Sequence, residues 1–112
     1  MTVTDLELVS SEDVIRTVGN NLNYGVLIRW VTNGAVEPTH RATGSGRNHG
    51  WSPRDIAALR AITQVRHDLA TIGLPCPRPL VAELWEQLIV NGVAFLTTGT
   101  VTISVRRGLE GQ

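Results

Sequence analysis

Six arginines and all three histidines fall between residues 29 and 67, a spacing suited to gripping a polyanion rather than to making or breaking bonds. Arg29, His40, Arg41, Arg47, His49 and Arg54 bracket the short run Gly44-Ser45-Gly46. With Arg60 and Arg66, and with Glu37 and Asp55 as the acidic residues, this middle segment carries a formal net charge of +4. Residues 1–28 carry −3 and residues 68–112 carry −1, so the chain as a whole is neutral. Neutrality here conceals segregation. Every basic residue is arginine, whose planar fork suits phosphate oxygens and guanine edges; a codon bias would give the same lysine-free composition.

Bond-making chemistry finds no support in the spacing. His40 and His49 are separated by the glycine-rich run and His67 lies further on, with no HxxH or HExxH pattern, so no metal site is expected. Cys76, in Leu-Pro-Cys-Pro-Arg-Pro, is the sole cysteine and excludes both an internal disulfide and a thiolate-rich metal centre. Gly44-Ser45-Gly46-Arg47 lacks the Lys-Ser or Lys-Thr pair of a phosphate loop, and no serine sits in a nucleophile-elbow context. The chain therefore reads as a non-enzyme without cofactor or small-molecule effector.

The elements that must position these cations follow from periodicity and punctuation. Ser10 or Ser11 can cap a short helix over 11–18, with Val14, Ile15 and Val18 on one face. Asn23 can cap a second helix running to about Thr32, with Leu27, Trp30 and Val31 inward and Asn33-Gly34 as its stop. Val36-Glu37-Pro38 is extended, and Thr43-Gly44-Ser45-Gly46 is the tip of a hairpin loop. Ser52-Pro53 opens the longest helix, in which Ile56, Leu59, Ile62, Val65, Leu69 and Ile72 recur until Gly73. Pro79 starts a fourth helix with Leu80, Leu84, Trp85 and Leu88 buried, closed by Asn91-Gly92. Val93–Thr97 and Thr100–Val105 are strands around a Thr98-Gly99 turn, with a polar tail from Arg106. The three tryptophans lie on or beside apolar stripes and read as core anchors.

At 112 residues the chain has room for one domain, and its apolar runs are too short to span a membrane. The acidic opening segment is unlike a signal peptide, which predicts a cytoplasmic location.

Residues 9–73 resemble the DNA-binding domain of MerR-type regulators and the related winged-helix excisionases. The resemblance rests on Trp30, Gly34, Ala35-Val36, Glu37 and Pro38 after the second helix, then on Trp51, Ser52, Asp55, Ile56, Leu59 and Ile62 in the family's order and spacing. It implies a winged helix-turn-helix with a basic wing; together with the elements read above, the expected fold is mainly α with small β, having four helices, that wing and a C-terminal β-hairpin. It places Asn23, Tyr24 and Arg29 on the recognition helix. His40, Arg41, Arg47 and His49 flank the wing, and Arg54 opens the next helix. The family's recognition-helix arginine aligns with Ile28 and its wing arginine with His49, so base preference does not carry over. The long coiled-coil helix of full regulators is replaced by residues 79–105, a helix plus hairpin.

The expected partner is double-stranded DNA, bound by a small transcriptional regulator; the alternatives are a DNA-bending recombination accessory factor and a winged-helix protein-interaction module. Val101, Ile103 and Val105 share one face of the last strand, and a lone two-stranded ribbon is marginal in water. A homodimer through the fourth helix and the hairpin is therefore expected, presenting two wings to a palindromic site.

Overall fold

A computed structural model of the chain describes residues 8–19, 22–40, 49–98 and 100–108. The protein is mainly helical with a small β component: α1 (Ser11–Val18), α2 (Tyr24–Thr32), α3 (Pro53–Thr71), α4 (Arg78–Asn91), then strands β1 (Val93–Thr98) and β2 (Val101–Arg106).

Local chemistry sets these boundaries. Ser10 caps α1 by accepting the Asp13 N–H, and Asn23 caps α2 by accepting the Val26 N–H at 2.9 Å. Gly34, at φ +79°, carries the chain out of α2 through the left-handed region. Ser52 and Asp55 form a reciprocal capping box at the start of α3, with Pro53 in its first turn. α4 begins at Arg78, one residue before the expected Pro79, because Pro77 supplies the extended cap position and Pro79 fits the first turn without a lost hydrogen bond.

One apolar cluster draws on all four helices and both strands. Leu27 and Val31 of α2, Leu59 and Ile62 of α3, and Val81, Leu84 and Leu88 of α4 are all buried, and α3 packs against α1, α4 and β2. Trp30, Trp51 and Trp85 are core residues, as their positions predicted. Trp51 is fully buried, donates from its indole N–H to Ser11 Oγ at 2.8 Å, and meets Trp85 edge-on with ring centroids 6.4 Å apart. Ile72 departs from the expected stripe: α3 ends at Thr71, the chain turns toward Gly73, and Ile72 is left 61% exposed.

The hairpin is a regular antiparallel pair, from Val93 opposite Arg106 to Thr98 opposite Val101. Its turn sits one residue later than expected, so the strands are 93–98 and 101–106. The facing prediction holds, with Ile103 buried, Val101 and Val105 half-buried, and Thr102 and Ser104 exposed. Arg106 belongs to β2 rather than to a tail, and Arg107 does structural work beyond it. Its backbone N–H donates to Gly92 O, and its guanidinium donates to Leu88 O at 2.8 Å and Ile89 O at 3.2 Å. Both carbonyls lie at the C-terminus of α4, where Leu88 O also accepts the Gly92 N–H at 3.0 Å and a cation is favoured by the helix dipole. Among the described residues no helix is long and apolar enough to cross a membrane.

Candidate nucleic-acid interface

Three extended segments come together before α3. Val9 and Trp51 exchange backbone hydrogen bonds at 2.9 Å in both directions, and His40 and Gly50 do the same at 2.9 and 2.8 Å. Residues 50–51 thus lie between residue 9 on one side and residue 40 on the other. Gly50 keeps this crossing close, since a Cβ there would lie 3.0 Å from Leu8 Cδ1, 3.2 Å from Leu8 Cβ and 3.3 Å from His40 Cβ, and these neighbours would have to give way. The consequence is a footing: His40 and Gly50, which flank 41–48 in the chain, are held together as one hydrogen-bonded pair.

A buried carboxylate fixes that footing to α3. Asp55 is 3% exposed, and its Oδ2 accepts the Thr39 N–H at 2.9 Å, the Thr39 hydroxyl at 2.6 Å and the Ser52 N–H at 3.1 Å. Three donors on one carboxylate oxygen offset its loss of water. Arg54, although adjacent in sequence, forms no ion pair with Asp55. Among the described residues the one ion pair is Arg16–Asp13 at 2.7 Å, on the exposed side of α1. Arg54 is exposed in the first turn of α3 and His40 is exposed next to Thr39, so the Thr39–Asp55 contact ties together the two segments that carry these side chains.

On α2, Leu27, Trp30 and Val31 face the core, which turns Gly25, Arg29 and Thr32 outward at i, i+4 and i+7. Tyr24 is 40% exposed at the first turn, and Asn23 is exposed while its Oδ1 holds the cap. Thr32 shares the outward face with Arg29 and was missed in sequence reasoning; its i+3 spacing from Arg29 was the available signal. The Arg66 guanidinium lies 5.9 Å from the centroid of the Trp30 ring, which anchors α2 against α3.

The remaining candidates divide. His49 corrects the expectation of an exposed wing flank: it is 5% exposed, because the chain turns into the Gly50–Trp51 crossing at that point. Arg41 and Arg47, with the Gly-Ser-Gly tip, lie outside the described residues. His67 is exposed on α3, away from the footing in sequence. Burial pushes the Cys76 thiol above its ordinary range, an effect Arg66 partly opposes, so the thiol form is favoured. A thiol held in that form is a poor nucleophile.

No protein-family model, curated protein or solved structure matches the chain.

Proposed function

We propose that the chain is a sequence-specific double-stranded DNA-binding protein of winged helix-turn-helix type, with α2 as the recognition helix and residues 41–48 as the wing. The observation that carries this reading is the fate of Asp55. It is one of two carboxylates in the +4 middle segment, and it is turned inside and committed to Thr39 and Ser52. Arg29 and Arg54, by contrast, are exposed. Arg29 and Thr32 then face the major groove, His40 and Arg54 face the phosphates beside the footing, and Arg41 and Arg47 extend the same charge. Tyr24 and Asn23 stand at the leading end of α2. A transcriptional regulator is the reading adopted, and a two-fold pair of such chains fits a palindromic site.

The test is salt-dependent binding to duplex DNA, followed by fluorescence anisotropy. About four phosphate contacts lower affinity roughly 100-fold between about 50 and about 200 mM salt. Salt-independent binding refutes the reading. Arg41→Ala with Arg47→Ala weakens specific and random duplexes alike. Arg29→Ala costs about 1 to 3 kcal/mol on the selected site and little on random DNA.

A further inference from the structure

The two ends of α2 are held by different means. Its first turn is closed from within, by Asn23 Oδ1 on the Val26 N–H at 2.9 Å and by Asn23 O on the Leu27 N–H at 3.0 Å. Its last turn is reached by two arginines far along the chain. The Arg66 guanidinium of α3 stands 5.9 Å from the centroid of the Trp30 ring, and the Arg78 guanidinium, at the start of α4, donates to Asn33 O at 3.4 Å. Cys76 lies between these arginines in the chain and feels the Arg66 charge, so the connector from α3 to α4 passes the same end of α2. α1 is the helix that packs most closely on α2, and the two arginines tie its last turn to α3 and α4 as well.

Both contacts are favourable places for a cation. The face of the Trp30 ring is electron-rich, and the C-terminus of a helix carries partial negative charge on its carbonyls. Arg66 is half-buried, and among the described residues neither arginine forms an ion pair, so no carboxylate competes with α2 for the two guanidiniums. Arg29 and Thr32 lie in that same last turn, on the outward side of the helix, while Trp30 faces the core. A tilt about the self-capped first turn moves them most, since they stand roughly 9 to 13 Å along the axis from Asn23.

We propose that Arg66 and Arg78 are positioning residues for α2: they clamp its last turn to α3 and α4 and thereby set the pose of Arg29 and Thr32, without touching the ligand themselves. The clamp follows from the contacts alone, and its role in recognition rests on the reading of α2 as the helix that meets DNA. The arginines of the chain then divide by task. Arg66, although it belongs to the +4 segment, works inward on α2, as Arg107 works on the end of α4. Arg29 and Arg54 are the exposed ones that meet the ligand. Site selection thus depends on Arg78, which lies outside the basic segment and carries no part of the phosphate contact.

Amide exchange and duplex binding on the full chain test the clamp together. In Arg66→Met combined with Arg78→Ala, exchange at Val31, Thr32 and Asn33 accelerates at least about tenfold while the hairpin amides keep their protection. On the selected duplex this variant loses at least about fivefold in affinity, on random duplex it loses less than about twofold, and the slope of log affinity against log salt is unchanged. Arg54→Ala gives the converse, a slope shallower by about 0.9 with equal losses on both duplexes. Arg66→Lys, which keeps a cation over the ring, stays within about twofold of the wild type in both measurements. Unchanged exchange at the end of α2 in the double variant overturns the proposal. So does exchange that rises equally in the hairpin, which marks a general loss of structure, or a shallower salt slope, which makes the two arginines ligand contacts. If the double variant does not fold, Arg78→Ala alone, at an exposed position, carries the same comparison. A wild-type chain without salt-dependent affinity for duplex DNA refutes the DNA reading, and exchange then decides the clamp by itself.

Discussion

The chain carries two small β structures, one before α3 and one after α4, and they are built on opposite principles. The first consists of single bridges, Val9–Trp51 and His40–Gly50, held by polar contacts: Trp51 to Ser11, and Asp55 to Thr39 and Ser52. The second is a continuous six-pair ladder with an apolar inner face and an arginine closing its base. Bridges held by side chains fix the two residues, His40 and Gly50, between which a segment begins and ends. A ladder instead fixes both strands along their length. The first arrangement suits contact with a charged ligand, and the second suits covering a core.

The largest effect is expected where the two regions meet. Trp51 belongs to the bridge with Val9 and touches Trp85 of α4, so Trp51→Ala removes a fully buried ring and leaves Ser11 Oγ without its donor. A loss of about 3 to 5 kcal/mol in urea unfolding is expected. The wild type should unfold in a single transition, because one core joins both regions. Two separated transitions would break the comparison at its root, making the regions independent units.

Next in size is the polar clamp. Asp55→Ala strands the Thr39 N–H, the Thr39 hydroxyl and the Ser52 N–H, and it also removes one half of the capping box, at a cost of about 1 to 3 kcal/mol. Amide exchange should accelerate at His40 and Gly50 while the hairpin amides keep their protection. Equal acceleration in both regions would mean that the footing has no local role.

On the ladder side, Arg107→Ala removes the guanidinium from the Leu88 and Ile89 carbonyls, and about 1 kcal/mol is expected from the lost hydrogen bonds and helix-end charge. The exchange pattern should be the mirror image, faster at the base of the hairpin and unchanged at His40 and Gly50. Stability that is indifferent to this change would show that apolar packing alone seats the hairpin on α4.

The contrast between the regions also explains what could be read without coordinates. The helices were legible because their caps are side chains at fixed offsets: Ser10, Asn23 and Ser52 at the starts, Gly34 and Gly92 past the ends. The hairpin faces were legible from alternation, while its turn slipped by one because Thr98, Gly99 and Thr100 offer equivalent turn chemistry. The footing was hardly legible. Val9 reaches Trp51 and Thr39 reaches Asp55 across 42 and 16 residues, and a single bridge leaves no periodic trace. For the same reason His49 read as an exposed flank of the wing, and nothing marked Asp55 as the partner of Thr39. Arg107 read as tail because its partners are backbone carbonyls, which every sequence supplies.

The smallest expected effect on stability asks how the hairpin is seated. Ile72 is 61% exposed at the end of α3, on the wall of the groove that faces β2. An exposed isoleucine contributes little to folding, so Ile72→Thr should change unfolding stability by less than about 0.5 kcal/mol, with the footing and its amide exchange untouched. If Ile72→Thr instead destabilises the chain by as much as Arg107→Ala, the groove is closed in solution and the hairpin is seated on the end of α3 as well as on α4. If stability does not move, Ile72 is a solvent-facing residue, and the contact of α3 with β2 must rest on Val65 and Leu69.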